Sequence, residues 1–291
     1  MWKKTLAAAA AWFVAVGVAL SAPPMKALII DGRNNHDWKA TTPVLKQHLE
    51  STGLYTVEVA TAPPRGEDIS GFLPEFADYD VIVSNYNDGE LWSPEARDAL
   101  VSYVHGGGGL VIVHAANNAF TSWKEFNDMI GLGWRGADFG RRLTLNDAGK
   151  VVITPPGDGP GAGHGPQHAY PVVIRDREHA VTQGLPGAWM HARDELYHGQ
   201  RGPAADMHVL ATAYSGTDKG GTGAHEPMMW VIPYGEGRVF TTVLGHSTGA
   251  MQCVGFITTF LRGAEWAATG KVTQTDVPDD FPTLDEVSVR E

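Results

Sequence analysis

Three histidines, His36, His114 and His246, each follow closely on an apolar run of strand length. Imidazole serves both proton transfer and metal ligation near neutral pH. A parallel sheet delivers strand-end residues to one rim, so groups far apart in the chain can meet in a single cleft. Singly, each is a hydrogen-bonded turn histidine; jointly, they predict a site. Asp194, Glu195 and Tyr197 add two carboxylates and a phenol. Ahead of a helix the acidic pair would be a cap; facing the cleft it would be a general acid/base or a metal ligand. His164 and His168 are spaced H-x3-H, but on a Gly/Pro stretch where that spacing does not bring the rings to one side. A substrate-covering loop is the preferred reading there.

The elements that must position these groups alternate between strand and helix. Met25–Ile30, Tyr55–Ala60, Tyr79–Ser84 and Leu110–Val113 read as strands. Thr41, Thr42 and Pro43 read as the start of one helix, and Ser93 with Pro94 as the start of another that closes on the glycines after His105. Alternation of this kind specifies a doubly wound α/β fold, a mostly parallel sheet with helices on both faces. Pro155–His168 is too rich in Gly and Pro for regular structure and reads as a mobile lid or a loop ordered by a ligand. Val172–Arg175 looks like an edge strand, Val209–Tyr214 is another strand, and Met228–Pro233 with Arg238–Leu244 form an added hairpin turned at Gly235–Gly237. A last helix spans roughly Gly249–Leu261. No repeat or linker divides the chain, so one domain covers 25–272, followed by a tail at 273–291.

Two motifs are set aside. Gly245-His246-Ser247-Thr248-Gly249 matches the nucleophile elbow of serine hydrolases, but that fold needs a histidine later in the chain and none follows His246. The Gly157-Asp158-Gly159 segment lacks the strand and helix of a dinucleotide loop, so no nucleotide cofactor is expected. The single cysteine, Cys253, lies in an apolar run and reads as a small buried hydrophobe.

The 291 residues, 43% of them hydrophobic, suffice for a sizeable core, and a net charge of −11 argues against a nucleic-acid partner. Residues 1–22 carry Lys3 and Lys4, an uncharged Ala/Val-rich run and small residues at Ala19 and Ser21, the pattern of a cleaved export signal. An uncleaved N-terminal membrane anchor is the alternative. Either reading puts the folded part outside the cytoplasm, secreted or periplasmic.

The phrases GGGGLVIVHAANNAF, HAVTQGLPGAWMHARDELYHG and HEPMMWVIPYGEGRVFTTVLGHSTGAM, with LRGAEWAATGKV behind them, resemble the ThuA-like (trehalose utilisation) family over Met25–Val272. The resemblance implies a flavodoxin-like fold similar to class I glutamine amidotransferases. Those enzymes carry a cysteine at the elbow where this chain has His114, so thioester chemistry is not expected. The family is associated with disaccharide catabolism through 3-keto sugars. A 3-keto group acidifies the neighbouring C2 proton, so a base with a carbonyl-polarising divalent metal, zinc or similar, would permit loss of the aglycone. On that basis His36, His114 and His246 are the expected metal ligands, and His114, Glu195 and His246 the catalytic groups. Asn35, Trp38, Asn85, Asn117, Asn118, His168, Asp194 and Tyr197 are expected to bind substrate, Trp38 or Tyr197 by stacking. The expected partner is a small-molecule carbohydrate, with a homo-oligomer left open. A non-catalytic sugar-binding or accessory protein and a metal-dependent hydrolase of another substrate are the competing readings.

Overall fold

The computed structural model describes residues 23–291 and Trp2, so both readings of the N-terminal segment fall on residues outside the described ones. No described helix is long and apolar enough to cross a membrane. The elements run β1 (Met25–Asp31), α1 (Trp38–Ser51), β2 (Tyr55–Thr61), β3 (Val81–Ser84), α2 (Pro94–His105), β4 (Gly109–Val113) and α3 (Lys124–Ile130). Then come β5 (Arg142–Leu145), β6 (Val151–Thr154), β7 (Gly163–His164), β8 (His168–Ile174), β9 (Ala188–Asp194), β10 (Tyr197–His198) and β11 (His208–Ser215). β12 (Ala224–Tyr234), β13 (Gly237–Thr242), α4 (Thr248–Met251) and α5 (Val254–Thr269) complete the order.

The sheet order is β2-β1-β3-β4-β13-β12-β11-β8-β9. β2, β1, β3, β4 and β13 pair in parallel, giving the doubly wound, flavodoxin-like centre that the strand–helix alternation predicts. The chain steps outward from β1 to β2 and returns to β3 on the other side, so the sheet changes direction beside β1. The predicted hairpin of β12 and β13 is present, but it opens a larger antiparallel extension through β11, β8 and β9. Val172–Arg175 is therefore not an edge: β8 is flanked on both sides, and β9 forms the edge.

The parallel strands are continuous apolar runs because both faces are covered. α1, α4 and α5 pack together on one face, and α2 and α3 lie against the strands of the other. Gly109 sets one of these approaches: a Cβ there would stand 2.6 Å from the Ala267 carbonyl carbon, so glycine lets α5 lie against β4. α1 begins earlier than Thr41, at Trp38, with the Asp37 side chain accepting from the Ala40 N–H. Pro43 stands inside α1, while the buried Thr41 and Thr42 hydroxyls serve as acceptors for Asn85 Nδ2 at 3.1 and 3.0 Å. α2 starts as expected, Ser93 capping it with Pro94 in first position. The predicted last helix is two: α4, then α5, which runs on to Thr269.

The tail is laid back on the body. Arg262 donates to the Gln274, Thr275 and Asp276 carbonyls, and Val254 N–H bonds Ser288 O.

Candidate active site

β1, β4 and β13 point their carboxyl ends to one rim, and the loops that follow carry His36, His114 and His246. Their rings converge: centroid separations are 5.0 Å for His36–His114, 4.7 Å for His36–His246 and 5.5 Å for His114–His246. The antiparallel extension supplies the group at their centre. Glu195, just past the end of β9, is ringed by four imidazole Nε2 atoms: His246 at 3.2 Å, His114 and His164 at 3.5 Å and His36 at 3.7 Å. The cavity above them, about 520 Å³, is lined by Asn35, His36, Asp37, Asn118, Trp134, His164, Glu195, Tyr197 and His246. A larger cleft of about 860 Å³, which includes Lys124, Phe139 and Arg141, holds no imidazole among its lining residues.

His114 sits in the left-handed region, at φ 46°, where a side chain is strained. Its Nδ1–H donates to the Val243 carbonyl at 2.7 Å, which fixes the ring and leaves Nε2 turned toward Glu195, buried and without a hydrogen-bond partner. A carbonyl only accepts, so in the neutral ring Nε2 carries the lone pair. His36 and His164 are tethered the same way, Nδ1 to Asn34 Oδ1 at 3.3 Å and to the Gly165 carbonyl at 2.7 Å. Burial acts to raise the Glu195 pKa, yet His114 and His36 outweigh it and hold the carboxyl well below its usual range. Burial lowers His246, with Glu195 partly opposing.

Asp194 is not a substrate group and not a helix cap, since a strand ends there. Its carboxylate is fully buried and accepts the backbone N–H groups of Glu195 at 2.8 Å, Gly245 at 2.7 Å and His246 at 3.0 Å, while His191 Nε2 donates at 2.8 Å. It thus ties the end of β9 to the loop after β13 and sets both Glu195 and His246. Burial alone would lower His191, but Asp194 lifts it to about 9; burial would raise Asp194, but His191 holds it low. A histidine with a raised folded pKa gives stability that is complete below its unfolded value near 6.5 and is lost as pH climbs through about 9. In buffer with chelator, the thermal unfolding midpoint should fall from pH 6.5 to 9, and His191→Gln should flatten that fall; parallel curves for the two proteins would refute the assignment.

The structure brings together His36, His114, His246, Glu195, Tyr197, Asn35 and Asn118. His114 differs from expectation in one respect: it lies beneath Glu195 and does not line the cavity. Four predicted substrate residues lie elsewhere. Trp38 lines a separate cleft with Arg33 and Lys39. Asn85 is buried on the Thr41 and Thr42 hydroxyls, and Asn117 is fully buried with its amide on Gln200 Oε1 at 2.6 Å. His168 turns its Nδ1–H to the Pro166 carbonyl at 2.8 Å, outside the cavity lining. In their place stand His164, Trp134 and Asp37. His164 stands out in the H-x3-H spacing, but it is the pairing of its strand with β10 that sets it beside Tyr197.

The Pro155–His168 segment is a strap more than a loose lid. The fully buried Arg201 guanidinium donates to the carbonyls of Pro155, Pro160, Asp158 and Gly140. Gly165 passes so close to the Lys219 carbonyl that a Cβ would lie 2.0 Å from its oxygen. Arg201→Met should cost the strap its main donors, at roughly 1–3 kcal/mol per orphaned set of groups, and raise amide exchange across 157–168 on the order of 10- to 100-fold. Exchange unchanged by mass spectrometry would show that the strap is held by other contacts.

A family model described as trehalose utilisation, ThuA, matches residues 26–267. No curated protein matches the chain. Among solved structures, a ThuA-like protein from Parabacteroides merdae ATCC 43184 is 46% identical, with 92% of this chain and 98% of that one covered and a TM-score of 0.87. A ThuA-like protein from Bacteroides uniformis ATCC 8492 is 21% identical over 90% of this chain and 98% of its own, with a TM-score of 0.59, and shows the fold alone. A cytoplasmic protein from Salmonella typhimurium shares that fold at 15% identity, over 84% of this chain and 99% of its own, with a TM-score of 0.51. With the family match spanning most of the chain and the closely similar Parabacteroides structure beside it, this protein belongs to the ThuA (trehalose utilisation) family.

Proposed function

We propose that this protein, whose family gives it a carbohydrate-related role, is an exported enzyme that cleaves an oxidised (3-keto) glycoside by base-assisted elimination. The observation that carries the reading is one ionised carboxylate ringed by four imidazoles at the edge of a cavity with an aromatic wall. Trp134, half-buried and 4.7 Å from Tyr197, offers a face for a sugar ring, and Asn35, Asp37 and Asn118 offer partners for its hydroxyls. Tyr197 itself is almost wholly buried and backs this wall.

His164 is the most exposed imidazole of the cluster and the best placed to take a proton from C2, acidified by the adjacent ketone. The C2–H electrons become the C1–C2 double bond as the C1–O bond breaks, and the departing oxygen takes up a proton to leave as an alcohol. Water added to that double bond would make the net reaction a hydrolysis. A divalent cation at the cluster would polarise the C3 carbonyl. Export rests on the lysines and apolar run of the N-terminal segment.

The test is a screen of native and 3-oxidised disaccharides against the purified protein, following release of the second sugar. Release from the oxidised substrates only supports the reading. Binding without release by the wild type would leave a sugar-binding accessory protein, and neither binding nor release would overturn a carbohydrate site here.

A further inference from the structure

We infer that His36, Glu195 and His246 hold one divalent first-row transition-metal ion, leaving coordination positions open toward the cavity. The inference rests on the site proposed above but not on its substrate. One ligand atom from each of the three residues lies within 4.8 Å of the other two, and the His36 and His246 rings stand edge to face at 83°.

The distances are longer than those of a hydrogen-bonded cluster. Charge-assisted N–H···O bonds close to about 2.7–2.9 Å. Here the Nε2 atoms of His246 and His36 stop at 3.2 and 3.7 Å from the carboxylate. Two donors that share an ion at about 2.1 Å are held roughly 3.0 Å apart at a right angle and roughly 3.4 Å apart at the tetrahedral angle. His246 faces Oε1 at a separation inside that range and His36 faces Oε2 slightly beyond it, so the two imidazoles approach the two oxygens of one carboxylate around a shared space.

The surroundings are those of a ligand set as well. His36 is tethered through Nδ1 to Asn34, which presents Nε2 inward. Asp194 fixes the backbones of Glu195 and His246 together, an outer shell that orients two ligands at once. Two imidazoles and one carboxylate, with no thiolate, suit zinc, manganese, iron, cobalt or nickel better than calcium or magnesium. Both histidines line the cavity, so a substrate oxygen or water can complete the shell.

The experiment is titration of chelator-stripped protein with cobalt(II) chloride, read by calorimetry and visible absorption. One ion per chain is expected. His36→Ala, His246→Ala and Glu195→Gln should each weaken binding on the order of 10- to 100-fold or more while circular dichroism stays that of the folded protein. His168→Ala, outside the cavity, should bind as the wild type does. No uptake by the stripped wild type, or equal affinity in the three variants, would overturn the inference. Glycoside cleavage by stripped protein that takes up no cobalt would overturn it while leaving the proposed reaction standing; cobalt bound with no cleavage would do the reverse.

Discussion

Glu195→Gln should lower the rate of 3-keto glycoside cleavage on the order of 10²- to 10⁴-fold, the range in which positioned proton-transfer and charge-stabilising groups act. The substitution keeps the shape and removes one charge. Glu195 is buried and has four imidazole Nε2 atoms within 3.7 Å, so its negative charge faces every ring of the cluster. A neutral amide would present its N–H atoms to some of the rings that now face an acceptor, and it would bind a cation far less well. Because the carboxyl is held well below its usual range, the wild type carries that charge at all working pH values. Steady-state rates on one oxidised disaccharide would check the effect, with His168→Ala as the comparison that should stay near wild type. A loss under tenfold with Glu195→Gln would move the chemistry away from this cluster.

The rim of histidines was legible because continuous apolar runs mark buried parallel strands, and such strands must release the chain at their carboxyl ends. Those runs say nothing of which way a side chain turns once the strand ends. Asn85 and Asn117 follow strand ends as His114 does, yet the first is drawn down to two buried threonine hydroxyls and the second to Gln200. Trp38 became the first residue of α1 and turned to another cleft. The sequence shows the hairpin and the strands at Val172–Arg175 and Val209–Tyr214 but not β9, and it is the pairing of β9 with β8 that brings Glu195 into the cluster. His164 lies on a stretch without periodicity, positioned by a buried arginine that comes more than thirty residues later and by a two-residue pairing with β10. Neither constraint leaves a local pattern.

Asp194→Ala should be among the most destabilising single changes in the chain, costing at least about 3–5 kcal/mol, the usual result of stripping one partner from a buried ion pair. The carboxylate accepts four hydrogen bonds, two on each oxygen, with no water-facing surface to share the load. Its loss strands the His191 imidazole in the core and orphans three backbone N–H groups. Urea unfolding would measure the cost. Where Asp194→Ala does not fold, Asp194→Asn gives the gentler version: the amide oxygen can still serve Glu195 and His246, but the amide nitrogen meets the Gly245 N–H as a donor facing a donor, and His191 must turn neutral with its proton on Nδ1 to accept from it. The asparagine protein should therefore fold with reduced stability and lose the pH-dependent contribution of His191. Because Asp194 sets the backbones of both Glu195 and His246, cobalt affinity should fall with it, though neither ligand is changed. An asparagine variant with wild-type stability and wild-type cobalt affinity would mean that the cluster is held from its own side chains outward, and that the buried pair beneath it is dispensable.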